Sequence, residues 1–131
     1  MDNRLNDLSR YRLQKARDEL ESSEIMLQNT KFSQSINRSY YAIFHATRSL
    51  LALDKFDARK HSGVITYFNQ HYIKTGKIET KFGKILILAE NIRIKSDYDD
   101  FYIASKQQAE EQLSNAREFI ERIETYINLL P

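Results

Sequence analysis

Between Gln34 and Leu53 the chain carries no carboxylate, and at spacings of three, four and three residues it places Arg38, Tyr41, His45 and Arg48. A guanidinium makes charge-assisted hydrogen bonds to phosphate oxygens, and an imidazole moves a proton near neutral pH. Together these groups suit a phosphodiester. RNA brings its own nucleophile in the 2′-hydroxyl, so strand cleavage needs a base, an acid and a cation for the charge of the phosphorane, and no metal. One copy of the segment offers one such His, whereas two copies facing each other would offer both proton-transfer groups. A homodimer with a composite site is therefore the economical arrangement. The plain alternative is that His45 is an ordinary hydrogen-bond partner and that Tyr41 packs between Arg38 and His45.

For these side chains to act together they must share one face of a helix. The spacing predicts a helix over about Ser33 to Leu53, with Ser33 or Ser35 able to cap its start. Arg38 and His45, seven residues apart, then lie within about 20° of each other and about 10 Å apart along the axis. Ile36, Tyr40, Ile43, Phe44, Leu50 and Leu51 gather on the other side as a core stripe. Small residues interleave with the cationic stripe, namely Ala42, Ser49 and Ala52. They would let two copies of the helix approach closely.

The rest of the chain must hold that helix. One helix is expected from about Asn6 to Gln28, with Leu13, Ala16, Leu20 and Leu27 inward. A shorter one fits about Ala58 to Tyr72, with Val64, Ile65 and Phe68 on one side. A further helix fits about Glu79 to Lys95, broken by Ser96-Asp97-Tyr98-Asp99-Asp100. The last begins at Ser105, which with Gln108 forms a capping-box pattern, and carries the stripe Ala109, Leu113, Ala116, Ile120, Ile123, Ile127 and Leu130. The 131 residues contain three Gly and one Pro, the Pro at the last position, so nothing interrupts long helices. The expected fold is all-α, an antiparallel up-and-down four-helix bundle with an additional short helix, forming one domain over residues 1–131.

Absent cysteine removes disulfide frameworks and thiolate metal sites. No run of about 18 apolar residues is present to span a bilayer, and the polar N-terminus is unlike a signal peptide, so no membrane association and a cytoplasmic location are expected. The net charge of +2 is unevenly spread: residues 1–30 carry 5 Lys/Arg against 6 Asp/Glu, residues 31–95 carry 12 against 4, and residues 96–131 carry 3 against 8. A basic centre suits a polyanion such as RNA, with the acidic last helix as its internal counterweight. Solvated faces whose charges cancel within the fold are the bland alternative.

The string Asn37-Arg38-Ser39-Tyr40-Tyr41-Ala42-Ile43-Phe44-His45-Ala46 resembles the signature of HEPN domains. His61-Ser62-Gly63-Val64, Lys74-Thr75-Gly76, and Arg93 with Asp97-Tyr98 resemble further segments of the short stand-alone branch of that family. The resemblance runs from about Ala16 to Ile127. It implies a helical bundle, and in the ribonucleases of the family an Arg, four to six residues, then a His form a metal-independent site at a dimer interface. Arg38 and His45 match that pattern with six residues between them. Many such nucleases act as toxins beside a nucleotidyltransferase antitoxin that modifies a Tyr two residues after the His; here that position is Thr47. Other family members lack nuclease activity and serve as binding modules for a nucleotidyltransferase or its substrate. The resemblance thus implies either an endoribonuclease with catalytic Arg38 and His45, or a partner- or nucleotide-binding module. Tyr41, Arg48 and Arg93 are the candidate RNA- or partner-binding residues in both cases, with Asp97 and Tyr98 as structural neighbours.

Other constellations are weaker. Arg93 and Asp97, four apart, suit a pair that holds a helix end. Asp97, Asp99 and Asp100 lack the ligand spacing and glycine of a calcium loop, and His61 and His71 have no HExxH companion for zinc. Neither a metal nor an organic cofactor is expected. No glycine-rich phosphate loop or nucleophile elbow is present.

Overall fold

The computed structural model describes residues 3–131; the first two residues of the expected 1–131 unit lie outside it. Five α-helices follow one another: α1 (Asn3–Gln28), α2 (Phe32–Ala52), α3 (His61–Phe68), α4 (Thr80–Tyr98) and α5 (Lys106–Asn128). A π-helical turn, Asn69–Ile73, extends α3. The fold is all-α, as expected from the scarcity of turn residues.

Ion pairs and hydrogen bonds fix the directions. Ser9 of α1 meets Ser49 of α2, and Ser23 meets Ser35, so α1 and α2 run antiparallel. Asn37 meets Asp97 and Tyr40 meets Glu90, which sets α4 antiparallel to α2. Arg17–Glu124 and Glu24–Arg117 set α5 antiparallel to α1, and Glu79–Arg122 and Lys81–Glu118 set it antiparallel to α4. The result is an up-down-up-down bundle in which α2 touches every other helix, while α1 and α4 lie on opposite sides of the α2–α5 pair. α2 is the most enclosed helix.

Its core stripe is as the periodicity predicts: Ile36, Tyr40, Ile43, Phe44, Leu50 and Leu51 are all buried. They join Val64, Phe68, Phe82, Leu86, Phe119 and Ile123 in the interior, where full burial of each large apolar side chain contributes about 1.5–3 kcal/mol. On α5 the stripe is buried from Ala109 to Ile123, Ile127 in the last turn is only half-buried, and Leu130, also half-buried, lies beyond the helix end.

Several local expectations are corrected. Neither Ser33 nor Ser35 caps α2; Lys31 stands at the cap without a side-chain bond, and Ser35 is buried inside the helix with its hydroxyl turned to α1. The third helix starts at His61 rather than near Ala58. α4 continues through Ser96, Asp97 and Tyr98, since helix continuation lets Arg93 pair with Asp97 one turn on. Ser105 does cap α5, accepting from the Gln108 amide at 3.0 Å.

The small residues of α2 have a different task from the one expected. Ser23 bonds the Ser35 and Ser39 hydroxyls at 3.0 and 2.7 Å, and Ser49 donates to the Ser9 carbonyl at 2.9 Å. Ser9, Ala16 and Ser23 recur every seven residues on α1, as Ser35, Ala42 and Ser49 do on α2, and all six are buried. This seam draws α1 and α2 together within one chain, with hydroxyls bonded across it. Gly83 serves a similar close approach: a Cβ there would lie 2.9 Å from Asn69 Oδ1 and 3.1 Å from Ile73, so its absence lets the π-turn sit against α4.

Candidate functional site

The outer edge of α2 carries Arg38, Tyr41, His45 and Arg48 in half-buried positions. The Arg38 guanidinium lies 5.5 Å over the Tyr41 ring, and the Tyr41 and His45 ring centres are 6.1 Å apart. Arg38, Tyr41 and His45 therefore form one continuous row. Arg38 is held from both sides, donating to Glu19 of α1 at 3.0 Å and to Asn37 at 2.5 Å.

Burial pushes the His45 imidazole down to about 4, and the nearby charges of Lys15, Arg48, Arg12 and Arg38 act in the same direction. His45 is therefore neutral at pH 7, and the same burial and charges weaken it as a base. Two of the cations responsible, Arg12 and Lys15, come from α1, which the pattern of α2 alone gives no means of finding. Arg12 and Arg48 share the carboxylate of Asp57, at 3.4 and 2.8 Å, and Arg12 also donates to the Arg48 carbonyl. Asp57 stays ionised, its carboxyl held low by the Arg48 hydrogen bond and by both guanidinium charges.

A cleft of about 350 Å³ opens beside Arg48, lined by Phe44, Arg48, Asp57, Ala58, Arg59 and His61. His61, part of the family-resembling segment His61-Ser62-Gly63-Val64 and from the sequence a weak zinc ligand, stands at the start of α3 with its ring centre 4.1 Å from that of Phe44. Its Nδ1 is 2.8 Å from the Tyr40 hydroxyl, which also donates to Glu90 at 3.2 Å. Arg93 lies 4.7 Å over the Tyr40 ring and pairs with Asp97 at 3.4 Å. Arg93 thus belongs to the Tyr40 and His61 cluster, its side chain largely enclosed.

Asp97 accepts from Asn37 as well as Arg93, and Asp99 accepts from the Phe101 amide, so both carboxylates already serve helix-end and turn geometry. A second groove, of about 580 Å³, runs past Ser22, Gln34, Asn37, Arg38 and Asp97. Tyr98 stands apart, 76% exposed beside Ile94 and Phe101.

The acidic last helix does not neutralise this face. Glu118 pairs with Lys81 of α4, and Glu124 with Arg17 of α1. The carboxylates that meet the α2 cations are Glu19 and Asp57.

Fold and face together define a class: a small up-and-down helical bundle whose most enclosed helix presents guanidinium and imidazole groups along one edge. Residues 9–126 match the HEPN domain model, and the chain belongs to that family. It is 32% identical over 108 residues to "Putative toxin MJ0605" of Methanocaldococcus jannaschii, covering 82% of this chain and 80% of the relative. A second protein of that organism, "Putative toxin MJ0142", is 29% identical over 115 residues, with 88% and 78% covered. A UPF0332 protein of Thermotoga maritima is 30% identical over 117 residues, with 89% of each chain covered.

Proposed function

We propose that the protein is a toxin-type, metal-independent endoribonuclease whose α2 edge, paired with that of a second copy in a homodimer, holds the RNA strand. The observation that carries this assignment is the row Arg38–Tyr41–His45, which joins a phosphate-binding cation to an imidazole kept neutral by burial and by four neighbouring cations. Two relatives that carry the name "Putative toxin" support the biological setting. In the reaction His45 takes the 2′-hydroxyl proton, the 2′-oxygen attacks phosphorus, and Arg38 stabilises the added charge. Tyr41 keeps the two groups in register, and Arg48 extends the cationic edge. Cleavage of single-stranded RNA in EDTA tests the assignment. Arg38→Ala and His45→Ala should each cut the rate by about 100-fold or more, and equal activity in all three proteins would remove the mechanism.

A second reading has one observation in its favour. Arg38 is already bonded to Glu19 and Asn37, and Arg48 to Asp57. A preformed, internally paired edge suits a non-catalytic module that docks an acidic partner such as a nucleotidyltransferase. That protein would cleave no RNA, and the two alanine variants would fold normally but lose the partner in a pull-down.

A further inference from the structure

The chemistry needs a second proton, for the oxygen that leaves. Sequence spacing offers it only from another copy's His45, but the fold places a second imidazole in the same chain. His45 and His61 both contact the rings of Tyr41, with centroids at 6.1 and 6.0 Å, and of Phe44, at 6.1 and 4.1 Å. Arg48 stands 6.0 Å from the Phe44 ring and lines the cleft with His61. Its Nε is buried without a hydrogen-bond acceptor among the described residues. Its Nη2 bonds Asp57, which lines the same cleft, so an anionic oxygen bound there takes the guanidinium in competition with that carboxylate.

The surroundings of the two imidazoles differ in kind. The charges bearing on His45 are all cationic: Lys15 and Arg12 from α1, Arg38 and Arg48 from α2. His61 faces Tyr40, Tyr41 and Arg48 of α2 and Glu90 and Arg93 of α4, and so has a carboxylate in reach. That carboxylate is linked to it by two hydrogen bonds. When His61 carries a proton on each nitrogen, Nδ1–H donates to the Tyr40 hydroxyl and the hydroxyl donates to Glu90. This orientation gives the imidazolium one favourable partner against burial and the Arg93 and Arg48 charges, which together lower its proton affinity, and it leaves Nε2 as the nitrogen that exchanges protons with a ligand. Both proton affinities are lowered, but only at His61 does a carboxylate, reached through Tyr40, oppose the shift, so His61 is the better placed of the two to carry the proton.

We propose that His61 is the general acid of this ribonuclease site, held by the Tyr40–Glu90 relay, and that Arg48 anchors the scissile phosphate between it and His45 in one chain. The inference rests on the ribonuclease assignment above. His45 removes the proton of the 2′-hydroxyl as the 2′-oxygen bonds to phosphorus; the bond from phosphorus to the 5′-oxygen breaks, and that oxygen takes the proton from His61. The products are a 2′,3′-cyclic phosphate and a 5′-hydroxyl. His45 has gained one proton and His61 has lost one, and exchange with water restores both. A second copy then enlarges the RNA-binding edge without having to supply the acid.

The test uses His61→Asn, whose side-chain amide can keep the bond to Tyr40 but cannot act as an acid. Two RNAs are compared in EDTA, one natural and one with sulfur in place of the 5′-oxygen at the cleavage position, a leaving group that needs no proton. The variant should cleave natural RNA about 100-fold more slowly than wild type, while the sulfur substrate restores the wild-type rate and so shows that the variant is folded. His45→Ala should stay slow on both. An equal deficit of His61→Asn on both RNAs, or no deficit on natural RNA, would overturn the role of His61 while leaving the ribonuclease assignment standing. A wild-type protein inert on both would bring down that assignment and the acid with it. Mixing His45→Ala with His61→Asn should restore nothing; recovered activity would place the two imidazoles in different chains and refute the in-chain pair.

Discussion

At the scale of single side chains, His45 shows how an environment sets a proton affinity. Its folded-state value is pushed down to about 4 from an ordinary 6.5. A base shifted in this direction binds fewer protons folded than unfolded, so its stabilising contribution is complete above about pH 6.5 and is lost as the pH falls toward 4. His61 is lowered as well and acts with the same sign. Asp57 and Glu79 are carboxyls held low by Arg48 and Arg122, so their contribution is lost only at more acidic pH. Thermal melts from pH 7 to pH 4 should therefore show falling stability, and His45→Gln should reduce the slope in that window. An unchanged slope would mean that His45 is not the titrating group. On the proposed function, RNA held at this edge would bring negative charge and raise the His45 proton affinity, so the acid limb of the cleavage rate should lie above pH 4. The row of Arg38, Tyr41, His45 and Arg48 was legible from spacing alone, because one helix carries it. Lys15, Arg12, Asp57 and His61 were not, since they reach the same place from α1, the segment after α2, and the start of α3.

Among the helices, the α1–α2 seam limits what can change. Ala16 and Ala42 are wholly buried between two hydroxyl clusters. Ala16→Leu should force the helices apart and cost about 1–3 kcal/mol in urea unfolding, whereas a cost near zero would show that the seam is loose. Ser105→Ala removes the α5 cap and should cost about 1 kcal/mol by the same measurement. The helix positions follow from apolar periodicity and a lack of breakers, which is why five helices could be placed in advance. The ends were less legible. α2 begins without a side-chain cap, its Ser35 being turned across the seam to Ser23, and α4 runs into its Asp and Ser cluster as far as Tyr98 because Arg93, Asn37 and Asp97 tie its last turn to α2.

For the molecule as a whole, α5 takes up part of the middle segment's charge through Glu118–Lys81, while the α2-edge cations Arg38 and Arg48 are met by Glu19 and Asp57 from outside α5. RNA binding should weaken steeply with salt, and Arg38→Gln or Arg48→Gln should each lower the slope of log K against log salt by about one. A slope that does not change would place the RNA elsewhere. If the chain is a single unit that dimerises through α2, sedimentation should give twice the chain mass, and unfolding should be one transition whose midpoint rises with protein concentration. Among the described residues no helix is long and apolar enough to cross a membrane.

The sequence by itself determined the all-α class, the core stripe of α2 and its cationic edge, because both faces follow from a 3.6-residue period within one continuous helix. Tertiary structure alone decided which small residues serve the α1–α2 seam, which carboxylates hold the cations, and that His61, sixteen positions from His45, stands against the same two rings. Those are contacts between helices, set by the packing angle and register of one against another, which no periodicity within a single segment encodes.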